Sequence, residues 1–206
     1  MKKFAIVIVL ILLSGCAAKQ VATPYVVPHA LQVRAATVYY KVANCMAFDP
    51  EKKPRLYLSP DKMPSAFYSK DNRVILSEGL FSYDDDTISF VSAHELAHAK
   101  LDHLETREIV SGITTGVMVI VNTIVPGAGL LNWIANPMMV NGFSRPQELA
   151  ADKLASQTVI RCNGIPVEKQ VHIMQTLQKD TATTGGGIWS GHPSWEDRIK
   201  NIQKSP

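Results

Sequence analysis

Residues 92–100 read SAHELAHAK, and this short stretch decides how the chain is interpreted. Its residues suit an α-helix, in which each residue advances about 100° around the axis, so that His94 and His98 share one face. Two neutral imidazoles at that spacing can bind one zinc ion, and Glu95 then lies beside the metal. The alternative is a chance match on an ordinary amphipathic helix, expected in about one per cent or fewer of chains of this length. The motif therefore predicts a zinc hydrolase.

A catalytic zinc site needs a third protein ligand and one open position. The metzincin extension of the motif fails, because the glycine and histidine that it requires are replaced by Leu101 and Leu104. His103 is nearby, but a continued helix would carry it about 180° away from His94. We therefore predict a structural role for His103 on the opposite face, such as a buried hydrogen bond.

Glu148 is the better candidate for the third ligand. Pro146 suits the first turn of a helix, and Asp152 lies one turn after Glu148 on the same face. Asp152 could accept the outer N–H of a ligating histidine and fix its tautomer. The alternative is a solvated acidic face, but the intervening sequence LAA (149–151) indicates a helix that is partly buried.

The N-terminus predicts export. A positive start and the apolar run 4–13 are typical of a secretory signal and too short for a membrane span. The sequence LSGC (13–16) looks like the lipobox of bacterial lipoproteins, which implies cleavage before Cys16 and its lipidation. Acyl chains would anchor the protein without a spanning helix. Ala17 favours the outer membrane if the source is Gram-negative, so we expect an outer membrane lipoprotein on the periplasmic side.

Three segments are expected: a signal peptide at 1–15, a lipidated N-terminus and tether at 16–30, and one domain at 31–206. Removal of the signal lowers the formal charge from +3 to +1, so nothing suggests a nucleic-acid partner. With Cys16 lipidated, Cys45 and Cys162 remain as an even pair in an oxidising compartment. They predict a disulfide, with two unrelated buried thiols as the alternative.

The pattern of apolar residues predicts an α+β fold. We expect a helix over 31–42, short strands at 55–58, 66–68 and 74–76, and then helices. The carboxylates at 84–86 suit the N-terminus of the helix that carries the motif.

Residues 109–144 contain no charged residue and divide at Pro126-Gly127 into two apolar arms. Each arm is shorter than the roughly 20 residues of a membrane span. A zinc ligand after this segment must return to the side of His94, which excludes a single crossing. We expect a helical hairpin packed on the core or forming a lid. A hairpin dipping into the bilayer is the alternative.

Several motifs in this order resemble the HtpX-like and CAAX-prenyl-type zinc metallopeptidases, and the lipobox matches the small periplasmic lipoprotein branch of that family. The resemblance runs from about Arg55 to Ile202, and it rests on VILSEGL (74–80), SAHELAH (92–98) with His103, SRPQELAAD (144–152) and HPSWEDR (192–198).

The resemblance implies a mainly helical zincin-like domain with a small β-sheet beside the active-site helix. It implies Zn²⁺ held by His94, His98 and Glu148, and hydrolysis by zinc-bound water with Glu95 as the general base. His192 is expected to help stabilise the oxyanion, or to be a fourth ligand at rest, unless it is an ordinary loop histidine. Arg198 would orient His192 or an acid near zinc, or merely pair on the surface.

The expected function is an envelope endopeptidase that cleaves unfolded or misassembled proteins, with envelope protein complexes as possible partners. Substrates would add to a strand edge at residues 65–68, which gives little sequence preference. The alternative is a zinc-dependent envelope assembly factor or chaperone-like binding lipoprotein. A structural lipoprotein with a chance motif is a third reading.

Overall fold

The computed structural model describes residues 26–104, 143–184, 192 and 195–204. The predicted signal peptide, Cys16 and all but the last two residues of the uncharged segment 109–144 lie outside these described residues. No helix in the described ranges has both the length and the apolar character needed to cross a membrane.

The described chain is mostly helical and includes a small sheet, which confirms the predicted α+β class. A 3-10 turn at Glu78–Ser82 joins the sheet to the helix that carries the motif. In chain order the regular elements are α1 (His29–Cys45), β1 (Arg55–Ser59), β2 (Ala66–Ser69), β3 (Arg73–Ser77), α2 (Asp85–Lys100), α3 (Arg145–Asn163), α4 (Val167–Thr184) and α5 (Trp195–Gln203).

The sheet has the strand order β1-β3-β2, with β1 parallel and β2 antiparallel to β3. β2 and β3 are joined by a tight turn in which Asn72, at φ +56°, adopts a left-handed conformation that asparagine tolerates. Because β2 is an edge strand among the described residues, one side of its backbone has no sheet partner there. That side faces α2, as the hydrogen bond from the Tyr68 N–H to Glu95 shows.

α2 is the central helix of the fold. Its N-cap residue Asp84 accepts a hydrogen bond from the Thr87 N–H at 2.8 Å, and Asp85 and Asp86 add favourable charge in the first turn. Every residue from Thr87 to Ala99 is buried. The sequence pattern of α2 is therefore that of a helix enclosed on all sides, and polar groups on it need partners inside the protein.

α3 packs closely against α2. Both helices carry fully buried alanines, which allow two helix axes to approach closely: Ala93, Ala97, Ala151 and Ala155. A disulfide between Cys45 and Cys162, with Cα atoms 6.2 Å apart, ties the end of α1 to the end of α3. The helix that carries Glu148 and Asp152 is therefore held from two sides.

Candidate metal centre

α2 contributes the first three side chains of the site. His94 and His98 lie one turn apart and are completely buried, and their Nε2 atoms are 3.0 Å apart. Glu95 is also completely buried, and its Oε2 accepts a hydrogen bond from the Tyr68 N–H at 2.8 Å. The helical spacing that the motif predicted thus brings two imidazoles together, with the carboxylate of Glu95 directed towards the free edge of β2.

α3 brings Glu148 to these histidines. The helix begins after Ser144, whose N–H donates to Oε1 of Gln147 at 2.9 Å, and Pro146 lies in the first turn. This start places Glu148 with Oε2 at 3.4 Å from Nε2 of His94 and Oε1 at 3.5 Å from Nε2 of His98. The three residues predicted as zinc ligands therefore converge.

His192 is the fourth member of the group, and it comes from a different part of the chain. Its Nδ1 lies 2.8 Å from Oε1 of Glu148 and 3.4 Å from Nε2 of His94. Its Nε2 lies 3.7 Å from Oε1 of Glu95. One donor atom from each of His94, His98, Glu148 and His192 lies within 4.8 Å of every other. We call these four residues the metal cluster.

Asp152 and Arg198 form a layer behind the metal cluster. Oδ1 of Asp152 lies 2.9 Å from Nδ1 of His94, and the carboxylate also accepts two hydrogen bonds of 2.7 Å from Arg198. Arg198 is completely buried, and its Nη1 lies 3.3 Å from Oε2 of Glu148. Because an ionised carboxylate only accepts hydrogen bonds, Asp152 requires the proton of His94 on Nδ1 and leaves Nε2 with its lone pair.

The predicted position of His103 is wrong. We extended the helical period past Lys100, but α2 ends there, and Asp102 adopts a left-handed conformation at φ +52°. The chain turns back, so that Nδ1 of His103 lies 2.9 Å from Nδ1 of His98. Aspartate is one of the few residues other than glycine that tolerate this conformation, and it was the signal in the sequence that could have revealed the turn.

Phe143 is a second residue of the site that the sequence did not reveal. Its ring stacks on the His98 ring, with centroids 3.7 Å apart, and it is tilted against His103 and His192 at larger distances. It lies at the end of the uncharged segment, where composition alone gave no reason to single it out. The stack restricts rotation of the His98 imidazole.

The buried carboxylates of the site have unlike acidities. Burial raises the pKa of Glu148, but the hydrogen bond from His192, together with the closeness of His94, outweighs burial, and that pKa lies far below its usual range. Burial likewise raises the pKa of Asp152, but the Arg198 guanidinium, together with the His94 contact, lowers it below its usual value. Burial raises the pKa of Glu95 and lowers that of His98. Glu148 and Asp152 are therefore ionised at neutral pH, while His98 is neutral, as metal binding requires.

The metal cluster fits a zinc ion. Tetrahedral Zn²⁺ with bonds of about 2.0–2.1 Å holds its ligand atoms about 3.3 Å apart. The contacts of His94 Nε2 with the donor atoms of His98, His192 and Glu148 are 3.0, 3.4 and 3.4 Å. Glu95 Oε1 is buried without a hydrogen-bond partner in the described residues, as expected for an atom that faces a metal or its water. Glu148 Oε2 has no hydrogen bond there either, but Arg198 Nη1 lies 3.3 Å away and pairs with its charge. Lone pairs of nitrogen and oxygen atoms that lie this close together repel one another, and a bound cation would stabilise them.

The chain was compared with curated proteins and with protein-family models. No curated protein matches the chain at a significant level. The family model of peptidase family M48 matches residues 32–205. This range includes the motif helix, Glu148 and Asp152 on α3, and the His192 to Arg198 segment, so the resemblance predicted from the sequence is confirmed. The chain belongs to peptidase family M48, the HtpX- and CAAX-protease-like zinc metallopeptidases.

Proposed function

We propose that this protein is a zinc-dependent endopeptidase of the bacterial cell envelope that cleaves unfolded or misassembled proteins. The observation that carries the proposal is the buried convergence of His94, His98 and Glu148, with the carboxylate of Glu95 beside them. A site that only stored zinc would not need Glu95. The competing proposal, a zinc-dependent assembly factor or chaperone-like lipoprotein, leaves that residue unexplained.

The chemistry follows from the positions of the chain's own groups. Zinc bound by His94, His98 and Glu148 would lower the pKa of a water molecule towards about 7 and polarise the peptide carbonyl. Oε1 of Glu95 has no hydrogen-bond partner in the described residues, so Glu95 would be the group to accept a proton from the attacking water and to return it to the leaving amine. The Tyr68 N–H holds the other oxygen of Glu95 and so fixes the direction of the carboxylate. Burial raises the pKa of Glu95, which suits a group that must both take and return a proton near neutral pH.

His192 has two roles open to it. Its Nδ1, at 2.8 Å from Oε1 of Glu148 and 3.4 Å from Nε2 of His94, supports a role as a fourth ligand of a resting site. Donation to the oxyanion of a substrate would instead use an N–H of the same ring. We expect the first arrangement without substrate and the second with substrate bound.

The free edge of β2 is suited to an extended peptide. The Ser77 N–H donates to the Ser65 carbonyl at 2.9 Å, so the odd-numbered residues of β2 form the hydrogen-bonded pairs with β3. The peptide groups of Ala66 and Tyr68 then point away from β3, on the side of α2 and the metal cluster. A substrate that adds there is recognised mainly through its backbone, which favours unfolded chains over one preferred sequence.

A cavity of about 480 Å³ adjoins the C-terminal end of that edge. Tyr68 and Asn72 line it from the sheet side, and Ala99 and Asp102 line it from the end of α2. A side chain of a peptide bound along β2 could enter this space. The cavity therefore supports binding of a peptide side chain near Tyr68, at the end of the β2 edge.

The location in the envelope rests on the sequence. The lipobox at Cys16 supports an outer membrane lipoprotein that faces the periplasm, and a disulfide between Cys45 and Cys162 suits an oxidising compartment. A membrane-anchored peptidase in the periplasm would meet unfolded envelope proteins and their assembly complexes.

The test is cleavage of casein, an unfolded protein, by the full-length protein purified in detergent. We expect fragments in the presence of zinc, none after a chelator has removed the metal, and recovery when zinc is added back. Zinc-loaded protein that binds casein without cutting it would instead favour the chaperone-like function. Cleavage that persists after complete metal removal would contradict a zinc peptidase.

A further inference from the structure

His103 lies against the outer nitrogen of a metal-cluster histidine. Its Nδ1 is 2.9 Å from Nδ1 of His98, and only 7% of its surface is exposed. His98 itself is completely buried, and the Phe143 ring stacks on it at 3.7 Å. The contact with His103 and the stacking of Phe143 together hold the His98 ring in one orientation, with Nδ1 towards His103 and Nε2 towards His94.

The position of one proton decides what His98 can bind. A neutral imidazole carries its hydrogen on one nitrogen and a lone pair on the other. If Nδ1 of His103 accepts a hydrogen bond, the proton of His98 is on Nδ1 and its Nε2 lone pair faces the metal cluster. If His103 donates instead, the proton of His98 moves to Nε2 and points at His94, 3.0 Å away, which blocks a metal.

We propose that His103 is the positioning residue of His98: it accepts the hydrogen bond from Nδ1 and so holds Nε2 ready for the metal. This inference rests on the proposed zinc centre. Asp152 acts on His94 in the same way, because its Oδ1 lies 2.9 Å from Nδ1, the outer nitrogen of that ring. Each histidine of the motif then has its own acceptor, a carboxylate for His94 and an imidazole for His98.

The backbone around His103 supports this function. Asp102, at φ +52°, turns the chain back onto α2 directly before His103. The Gln147 Nε2 donates to the His103 carbonyl at 3.2 Å, while its Oε1 accepts the N–H of Ser144 at the start of α3. Gln147 immediately precedes Glu148. Its side chain therefore links the backbone at His103 to the start of the helix that carries the predicted ligand Glu148.

The test measures zinc affinity of the full-length protein by competition with a chelating dye. His103→Ala should weaken zinc binding by about 10–100-fold, the usual effect of removing the partner of a metal-bound histidine. His103→Asn should recover most of the affinity, because Oδ1 of asparagine can take the place of Nδ1 as an acceptor. His172→Ala, at an exposed histidine of α4, is the matched control and should leave the affinity unchanged.

The asparagine variant separates positioning from folding. If His103→Ala binds zinc as tightly as the wild type, or if His103→Asn is as weak as His103→Ala while both are folded, the proposal is overturned. Nitrogen-15 NMR of the zinc-loaded protein gives a second readout, with the proton expected on Nδ1 of His98 and on Nε2 of His103. A proton on Nδ1 of His103 would also overturn it. If the wild type binds no zinc, the proposed function fails first and this inference fails with it.

Discussion

Glu95→Gln should lower the turnover number for casein cleavage by about 10²–10⁴-fold while the protein keeps its zinc. The substitution preserves the size of the side chain and removes its ability to accept a proton. Oε1 of Glu95 is buried without a hydrogen-bond partner in the described residues, and the Tyr68 N–H holds Oε2, so the fold should tolerate the amide. Casein cleavage and zinc content are measured on the same sample.

Glu168→Gln is the matched control, because Glu168 is an exposed glutamate in the first turn of α4. It should change neither quantity. A Glu95→Gln protein that cleaves casein at more than a tenth of the wild-type rate would exclude Glu95 as the general base. Loss of zinc from a folded Glu95→Gln variant would instead place Glu95 among the ligands.

Arg198→Met should lower the free energy of unfolding of the metal-free protein by about 3–5 kcal/mol at neutral pH, the range found when one partner of a buried ion pair is removed. Methionine keeps much of the volume of the side chain but leaves Asp152 and Glu148 without their cation. Both carboxylates are completely buried, and Arg198 is within 3.3 Å of each. Urea unfolding followed by circular dichroism measures the effect.

The destabilisation by Arg198→Met should also depend on pH. In the wild type, burial raises the pKa of Asp152, but Arg198, with a further contribution from His94, holds it below its usual value. Its contribution is therefore fully present above the unfolded pKa of about 3.9 and is lost as the pH falls through the folded value. The difference between wild type and Arg198→Met should shrink when the pH is lowered from 7 towards 3.

Arg145→Met provides the control for charge loss at the surface. Arg145 pairs with Asp197 at 2.7 Å, but the side chains are 58% and 36% exposed, so removal of Arg145 should cost about 0–1 kcal/mol. If Arg198→Met costs no more than this control, Arg198 does not stabilise the buried acids and our account of that layer is wrong.

The sequence predicted those parts of the site whose residues lie close together along the chain. His94, Glu95 and His98 belong to one helix, and so do Glu148 and Asp152, so helical periodicity assigns them to shared faces. The strands were equally accessible, because each is a short run with aromatic or large aliphatic residues that is bounded by turn residues.

The rest depends on where elements stop and how they pack. His103 was misplaced because periodicity does not say that α2 ends at Lys100. The partners of Arg198 were left open, since contact with Asp152 on α3 depends on how α5 packs. Phe143 became visible only when its ring was found on His98. Family resemblance supplied His192 as a candidate, but only the fold shows that it contacts Glu148.

The most direct test of the zinc centre is the zinc content of the purified full-length protein, combined with the position of the metal from anomalous diffraction at the zinc edge. We predict one zinc ion per chain, at about 2.0–2.2 Å from Nε2 of His94, Nε2 of His98 and an oxygen of Glu148. A folded protein without zinc, or with zinc bound elsewhere, would contradict the account.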